Sequence, residues 1–401
     1  MSDLEIPLAE NSKALPLPDA KSRMETGKLD CIDALRGIAA LSIFIYHIYG
    51  TTGIITNWAY PIQILPERFI DLTLAGIPLF FILSAFTLYL SLDSRADEKR
   101  KFLKFYLRRF FRIAPLFYLL MVIVVLDSLI MQKAVPSWQD ILVNLTFTNN
   151  LVPQYSMSLF SDGWTVGVEM LFYLVLPLVF IKVNNIRRSI LLFIGIYWLS
   201  KEIRRLMGII IGENIMMSTN YDFYNFSHWA YIFPIGVICY IIYKSYLPKM
   251  RREYRVPAAF CMLLLSLVIL FVFINNLPLA LALSDLYEPL RILTVLQAMS
   301  SVAFVLLILS LFLNPNRLIV NRFTRFFGTI SYSLYLIHPF IVEPLKPVYV
   351  YIYGHTIYST DLSLFLCILL TLLIVTPVSL LTYHLIETPG IRMGKKVIAK
   401  L

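Results

Sequence analysis

The chain has 401 residues, 58% of them hydrophobic and 15% charged, with a mean hydropathy of +0.73. That composition excludes an ordinary soluble enzyme and points to a polytopic membrane protein. The net charge of +10 does not point to nucleic acid, because the basic residues lie in short stretches between apolar segments and not on one polar domain.

Residues 1–28 are polar and carry three prolines. No apolar stretch precedes a small-residue cleavage site, so a disordered cytoplasmic tail is expected there and not a signal peptide. Residues 29–390 read as one transmembrane domain. With about 20 residues to a span, the segments 32–50, 72–92, 112–131, 164–182, 189–208, 228–247, 256–276, 290–313, 329–350 and 362–386 give an all-α membrane protein of about ten transmembrane helices. Lys201, Glu202, Arg204 and Arg205 interrupt the fifth, which is expected to be short or to end near Ser200. Pro339 and Pro344 predict a kink or break in the ninth. Most of the 35 Lys and Arg fall in the connections near 93–111, 183–188, 244–255 and 314–328 and in the two tails. The positive-inside rule then makes both termini, including the tail 391–401, cytoplasmic. Lys201, Arg204 and Arg205 are the exception, read either as an acceptor-facing outer surface or as a misplaced boundary. In the long outer connection 132–163, SWQDILVNLTFTNN has the pattern of a short interfacial helix. Asn144-Leu145-Thr146 matches a glycosylation acceptor pattern, a motif too short to carry weight. Of four cysteines, Cys239, Cys261 and Cys367 lie inside apolar segments and Cys31 at the edge of one. They make no CxxC or Cys/His spacing, so neither a disulfide nor a zinc site is expected.

Ionisable groups inside spans need a partner or a task, because burying them is costly. In the first span, LDCIDALRGIAALSIFIYHIYG, Arg36 and His47 are eleven residues apart. That is about 1100° of turn and about 16 Å of rise, so both face one way at different depths. Spacing alone leaves open a functional pair, or a snorkelling arginine with a packed histidine. Ser84 falls mid-span in AGIPLFFILSAFTLYLSL, where it lines a pore or bonds a backbone carbonyl. FYLRRFFRIAPLFY gathers Arg108, Arg109 and Arg112 at a cytoplasmic helix entrance. Arg109 and Arg112 share a face, and their planar forks suit phosphate, although anionic lipid also satisfies such a cluster. Glu169 lies about 7 Å deeper than Trp164, at a depth where it can meet and orient His47 or pair with an arginine. In FFGTISYSLYLIHPFIVEP, Ser331, Tyr332, Ser333, Tyr335 and His338 make the inner half polar. His338 either lines the same cavity or is a packed, satisfied histidine. His384 and Glu387 read as interfacial anchors, and His228 and His355 receive no role.

Six stretches, LDCIDALRGIAALSIFIYHI, PLFFILSAFTLYLS, FYLRRFFRIAPLFYLL, GWTVGVEMLFYLVLPLVF, ISYSLYLIHPFIV and IETPGIRM, together resemble the acyltransferase-3 family of integral membrane acyltransferases. They occur in the family's order over residues 29 to 393. Ala85 stands where the family usually has glycine, and Thr165-Val166 replaces its commoner Ser-Leu. No fused SGNH hydrolase-like domain is expected.

The resemblance implies an O-acyltransferase, most simply an O-acetyltransferase, of the bacterial inner membrane. It would move an acyl group from cytoplasmic acyl-CoA, typically acetyl-CoA, to a hydroxyl of a cell-surface or lipid-linked glycan. Arg36 and His47 match the family's essential pair, and Arg109 and Arg112 its cytoplasmic arginine pair. No permanently bound cofactor and no metal is expected; acyl-CoA is the donor substrate. The expected partners are the donor, the glycan or lipid-linked sugar and membrane lipids, with room for a separate periplasmic protein. On this reading the donor's phosphates dock at Arg36, Arg109 and Arg112, while Ser84, Tyr332 and His338 line its path. His47 takes the hydroxyl proton or briefly carries the acyl group, and Glu169 orients His47 or binds the acceptor. A transporter or flippase would share the ten spans, the proline-broken helix and the midplane polar residues. The absence of an inverted repeat, and an arginine pair facing an intramembrane histidine, argue for the enzyme.

Overall fold

In lipid a chain must satisfy its backbone within its own helices. The computed structural model describes residues 20–55, 76–212, 215–284, 289–355 and 360–401, and no strand occurs among them. The helices are α1 (Ala20–Ile55), α2 (Gly76–Asp93), α3 (Lys101–Ile130), α4 (Trp138–Leu145), α5 (Gly163–Lys182), α6 (Ile186–Ile211), α7 (Ile215–Tyr224) and α8 (Phe226–Ala230). They continue with α9 (Ile232–Ser245), α10 (Arg252–Ser284), α11 (Pro289–Leu313), α12 (Arg322–Thr329), α13 (Ser331–Val342), α14 (Lys346–His355), α15 (Thr360–Thr382) and α16 (Thr388–Ala399). A π-helical turn, Tyr383–Glu387, joins α15 to α16.

Seven helical stretches among the described residues are long and apolar enough to cross a membrane: Asp30–Thr52, Gly76–Asp93, Lys101–Ile130, Gly163–Lys182, Phe226–Lys249, Arg252–Val272 and Asp361–Ala399. Gln297–Leu313 and Ser331–Val342 are apolar but shorter. Of the residues in Gly76–Asp93 and Phe226–Lys249, 72% are buried, against 17% in Arg252–Val272. Thus α2 and α9 sit at the centre beside α1, while α10 turns Phe260, Leu264 and Leu267 outward, as a lipid-facing helix does.

Several local expectations change. Helix α1 already starts at Ala20, so 20–28 are helical; residues 1–19 lie outside the described residues. Helix α6 does not end near Ser200 but runs unbroken to Ile211. Its charges are met by ion pairs: Arg204 grips Asp222 with two bonds of 2.5 and 2.7 Å, and Arg205 meets Glu202 at 2.8 Å. The ninth segment breaks at 343–345, beside Pro344, whereas Pro339 stays inside α13. The short interfacial helix forms as α4, capped by Ser137, whose hydroxyl accepts from the Asp140 amide. Asn144 is buried, donates to Asp140 and accepts from Ser158. Its amide pins the loop and is not presented to a glycosylating enzyme. Most of the tail 391–401 belongs to α16, whose Gly390 and Gly394 seat it against Phe111 and Pro115 of α3.

One crossing positions the site directly. Helices α1 and α12 meet backbone to backbone at Gly37 and Gly328. A Cβ on Gly37 would strike the Thr324 carbonyl and the Gly328 amide, and one on Gly328 would strike the Asp33 carbonyl. Small residues permit this approach, and it sets the register of Arg36, the neighbour of Gly37. Elsewhere, Ala85 abuts Gly236, where a Cβ has no room. The alanine at the family's usual glycine position is thus accommodated by a glycine across the interface.

Gly328→Ala should overpack the α1–α12 crossing and cost about 1–3 kcal/mol, read as a lower thermal midpoint of the detergent-solubilised protein. Gly50→Ala, with open space around it, should leave the midpoint unchanged.

Candidate active site

Three helices turn one stripe each toward one another, around and beyond a narrow cavity. Helix α1 contributes Arg36, Ile43 and His47, at positions i, i+7 and i+11. Helix α5 contributes Thr165, Val166 and Glu169, preceded by Asp162 at its N-cap. Helix α13 contributes Ser331, Tyr332, Tyr335 and His338. These spacings keep side chains on one face of a helix. Arg36, Ile43, Thr165, Val166, Glu169, Ser331, Tyr332 and Tyr335 line the cavity, and Ile77, Phe80 and Phe81 of α2 close it. Its free volume is about 60 Å³, space for about two waters at ~30 Å³ each. Helix α5 runs opposite to α1 and α13, so Asp162 joins His47 and His338 at one end and Glu169 joins Arg36 at the other.

At the arginine end the three guanidiniums of the RRxxR stretch behave differently. Arg108 grips Glu98 with two bonds of 3.2 and 2.8 Å, which hold the Glu98 carboxyl below the usual carboxylate range. Arg109 and Arg112 instead turn toward Arg36, close enough for mutual repulsion. None of these three makes an ion pair or hydrogen bond with a described residue; the Arg109 guanidinium lies 5.8 Å from the Phe105 ring centre. Asp33, Glu169 and Glu387 balance their charge without closing on them. Glu169 accepts from the Tyr173 hydroxyl at 3.1 Å, and that hydroxyl is 3.4 Å from Ser84 Oγ. Glu387 is buried in the π-helical turn and accepts from Ser333 at 3.1 Å. Tyr332 donates to the Ile113 carbonyl at 2.7 Å, next to Arg112. The result is a pocket of unused fork-shaped donors, suited to phosphate.

The other end is built on Asp162. Aspartate is a favoured N-cap residue, yet its side chain makes no capping bond to α5. One carboxylate oxygen lies 3.4 Å from His47 Nε2, the other 3.3 Å from His338 Nε2. The two rings meet edge-on with centres 5.0 Å apart. His338 Nδ1 is 3.2 Å from the Leu334 carbonyl. A carbonyl only accepts, so Nδ1 carries the hydrogen and Nε2 is left facing Asp162. His47 is 27% exposed, whereas Asp162 and His338 are 3% and 0% exposed; His47 is therefore the member a substrate can reach. Burial pushes the Asp162 carboxyl up to about 8. Thr165 Oγ1 donates to the Asp162 carbonyl at 2.9 Å and lies 3.0 Å from the Tyr335 hydroxyl, tying this end to the cavity wall.

A family model described as an acyltransferase domain matches residues 29–384. The chain belongs to the acyltransferase-3 family. It is 28% identical over 341 residues to a protein of Acidianus two-tailed virus named "Putative acetyltransferase ORF330", across 83% of this chain and 89% of the relative. No solved structure matches it. Membership makes the protein an acyltransferase, and its apolar helices make it a multi-pass membrane protein.

In this acyltransferase-3 protein Arg36 and His47 share a face, and Arg109 and Arg112 join Arg36. The acid at His47 is Asp162, not Glu169. Glu169 stays at the arginine end with Tyr173 and Ser84, seven residues or about 10 Å along α5 from Asp162. Tyr332 also sits at the arginine end, whereas His338 belongs to the Asp162 end. The sequence reading missed Asp162 because it precedes the span; an aspartate directly before the helix-opening Gly163-Trp164 was the available signal. Glu387 is not an exposed interfacial anchor but 1% exposed beside the arginines.

Inorganic pyrophosphate should raise the thermal midpoint of the wild-type protein relative to chloride at equal ionic strength. Arg112→Gln should lose that rise. Arg108→Gln should keep it, because Arg108 is committed to Glu98.

Proposed function

We propose that the protein is a membrane O-acyltransferase that carries an acyl group, most simply acetyl, from cytoplasmic acyl-CoA to a hydroxyl of a lipid-linked or cell-surface glycan. The observation that carries this reading is the pair of groups on one face of α1, guanidiniums without a described partner around Arg36 and a His–Asp–His cluster at His47, about 16 Å apart, with a narrow cavity that starts at Arg36 and is walled toward the cluster by Thr165 and Tyr335. The donor's phosphates bond Arg36, Arg109 and Arg112, and its pantetheine arm extends toward His47. Ser84 and Tyr332 flank its entry. The acceptor oxygen attacks the thioester carbonyl; the C–O bond forms, the C–S bond breaks, and the hydroxyl proton passes by way of the cluster to the departing CoA thiolate. Glu169 and Tyr173 set the charge of the donor end. A cavity of about 60 Å³ does not hold the arm, so α1, α5 and α13 part as it enters, a population shift that donor binding drives.

Ten spans with both termini cytoplasmic put the arginine end at the cytoplasmic face and Asp162 toward the outer one. The placement is that of a cytoplasmic membrane, the bacterial inner membrane on the family resemblance. A crevice lined by Asp140, Gln154, Tyr155, Ser156, Ser158 and Asn220 flanks the loop that leads into Asp162. Its hydroxyls, amides and carboxylate suit sugar hydroxyls and support a glycan acceptor. The viral relative's description supports acetyl as the group moved.

Labelled acetyl-CoA supplied to inverted membrane vesicles should leave label in a glycan fraction. His47→Ala should lower that label by roughly 10²–10⁴-fold. Arg36→Lys should raise the donor KM, since an ammonium offers no fork. Wild-type vesicles that transfer no label but move a glycan across the bilayer would establish a transporter instead.

A further inference from the structure

The cluster at Asp162 has an unexplained feature. Asp162 Oδ2 and His338 Nε2 are buried, 3.3 Å apart, and yet neither has a hydrogen-bond partner among the described residues. Proximity without a bond means that the ring nitrogen is not aimed along the line to the oxygen. Charge-assisted N–H···O bonds are also shorter, at about 2.7–2.9 Å. Buried polar atoms of this kind normally have a partner.

We propose that His47, Asp162 and His338 are the protein ligands of a divalent metal ion of the zinc class, with a further coordination position open on the exposed side of His47. Two atoms bound tetrahedrally at about 2.0–2.1 Å from zinc lie about 3.3 Å from each other. His47 Nε2 lies 3.4 Å from one Asp162 oxygen and His338 Nε2 lies 3.3 Å from the other; one ligand atom from each of the three residues lies within 4.8 Å of the others, a set whose widest pair closes by up to about 1.5 Å to reach tetrahedral spacing. His338 has the usual outer support of a metal-bound imidazole: Nδ1–H is spent on the Leu334 carbonyl, which leaves the Nε2 lone pair pointing inward. That lone pair and a carboxylate oxygen repel unless a cation or a proton lies between them. A metal needs Asp162 ionised, and the ion's own charge would supply the counter-charge that burial otherwise denies that carboxylate. Imidazole and carboxylate ligands suit zinc, and Phe44 and Tyr335 wall the site with aromatic rings.

The inference rests on the acyl-transfer reading for the ion's task, though not for its binding. Two neutral imidazoles and one carboxylate around a divalent ion leave a net charge of +1, which an alkoxide neutralises. The acceptor hydroxyl binds at the open position, where the ion lowers its pKa. Its oxygen then forms the ester bond as the C–S bond breaks, and its proton ends on the CoA thiol. His47 on this scheme is a ligand that holds the ion at the cavity mouth, and neither a base nor an acyl carrier.

The test is metal binding by the full-length protein in detergent. After chelation and dialysis it is titrated with Co²⁺, whose four-coordinate complexes absorb visible light, and then with Zn²⁺ in competition. One cobalt ion per chain, displaced by zinc, is expected for wild type and for His355→Ala, whose exposed ring stacks on Tyr351. His338→Ala and Asp162→Asn should each lose stoichiometric binding while keeping the pyrophosphate-induced rise in thermal midpoint, which reports an intact fold at the other end. If one variant fails to fold, the other decides. Equal cobalt binding by wild type and a folded variant overturns the proposal. So does glycan labelling that persists in protein shown to hold no metal; the acyl-transfer reading then survives, with the cluster as a proton relay. Stoichiometric binding lost in the variants, in a protein that transfers no acyl group, supports the ion site and removes the acyl-transfer reading.

Discussion

The bundle is organised by the need to hold three guanidiniums inside it with no anion closed upon them among the described residues. A buried charge without a counter-charge is costly, so Asp33, Glu169 and Glu387 are brought near Arg36, Arg109 and Arg112, three against three. Two of these carboxylates are also held by hydroxyls, Glu169 by Tyr173 and Glu387 by Ser333. The pocket is therefore balanced in charge but unpaired in geometry. An incoming polyanion can take up every fork without first breaking an ion pair. That balance requires α1, α3, α5, α13 and the turn before α16 to converge, and the Gly37–Gly328 crossing and the Gly390–Gly394 seat allow helix backbones to come so close.

The two ends of the cavity have opposite deficits. The arginine end has donors in excess and lacks an acceptor. The Asp162 end has two buried polar atoms, Asp162 Oδ2 and His338 Nε2, with no hydrogen-bond partner among the described residues. On the proposed reading, a thioester with a phosphate-bearing tail serves the first end and an attacking hydroxyl the second. The wall between them is mostly apolar and aromatic, with Ile43, Ile77, Phe80, Phe81 and Val166. The hydroxyls of Thr165, Ser331, Tyr332 and Tyr335 also reach this wall.

What lies within one helix was legible in the sequence; what lies between helices was not. The Arg36–His47 face follows from helical arithmetic, and the break beside Pro344 from proline's missing donor. The pairing of Glu169 with His47 rested on depth, which fixes height but not azimuth or register across an interface. Asp162 escaped notice because only residues inside apolar segments were weighed as intramembrane groups. The charges of α6 suggested an early end because Asp222, the partner of Arg204, lies 18 residues away on α7. Residues 72–75 of the second expected span lie outside the described residues. The cluster of His47, Asp162 and His338, drawn from α1, the N-cap of α5 and α13, leaves no local Cys/His pattern in the chain.

The π-helical turn at Tyr383–Glu387 also fixes the phase of the chain's C-terminal end. A π-turn accommodates one residue more than the α-helix around it, and each residue advances a helix by about 100°. Upstream, α15 shows Phe365, Leu369 and Leu373 outward; downstream, Glu387 points in and Gly390 and Gly394 press on α3. Those faces are in phase only because of the extra residue. Its deletion would leave a smoother helix but rotate everything beyond it by about 100°, taking a carboxylate from beside the arginines and two glycines from their seat. The irregular turn thus acts as a phase shifter that lets one continuous helix serve the lipid with one face and the arginine pocket with another.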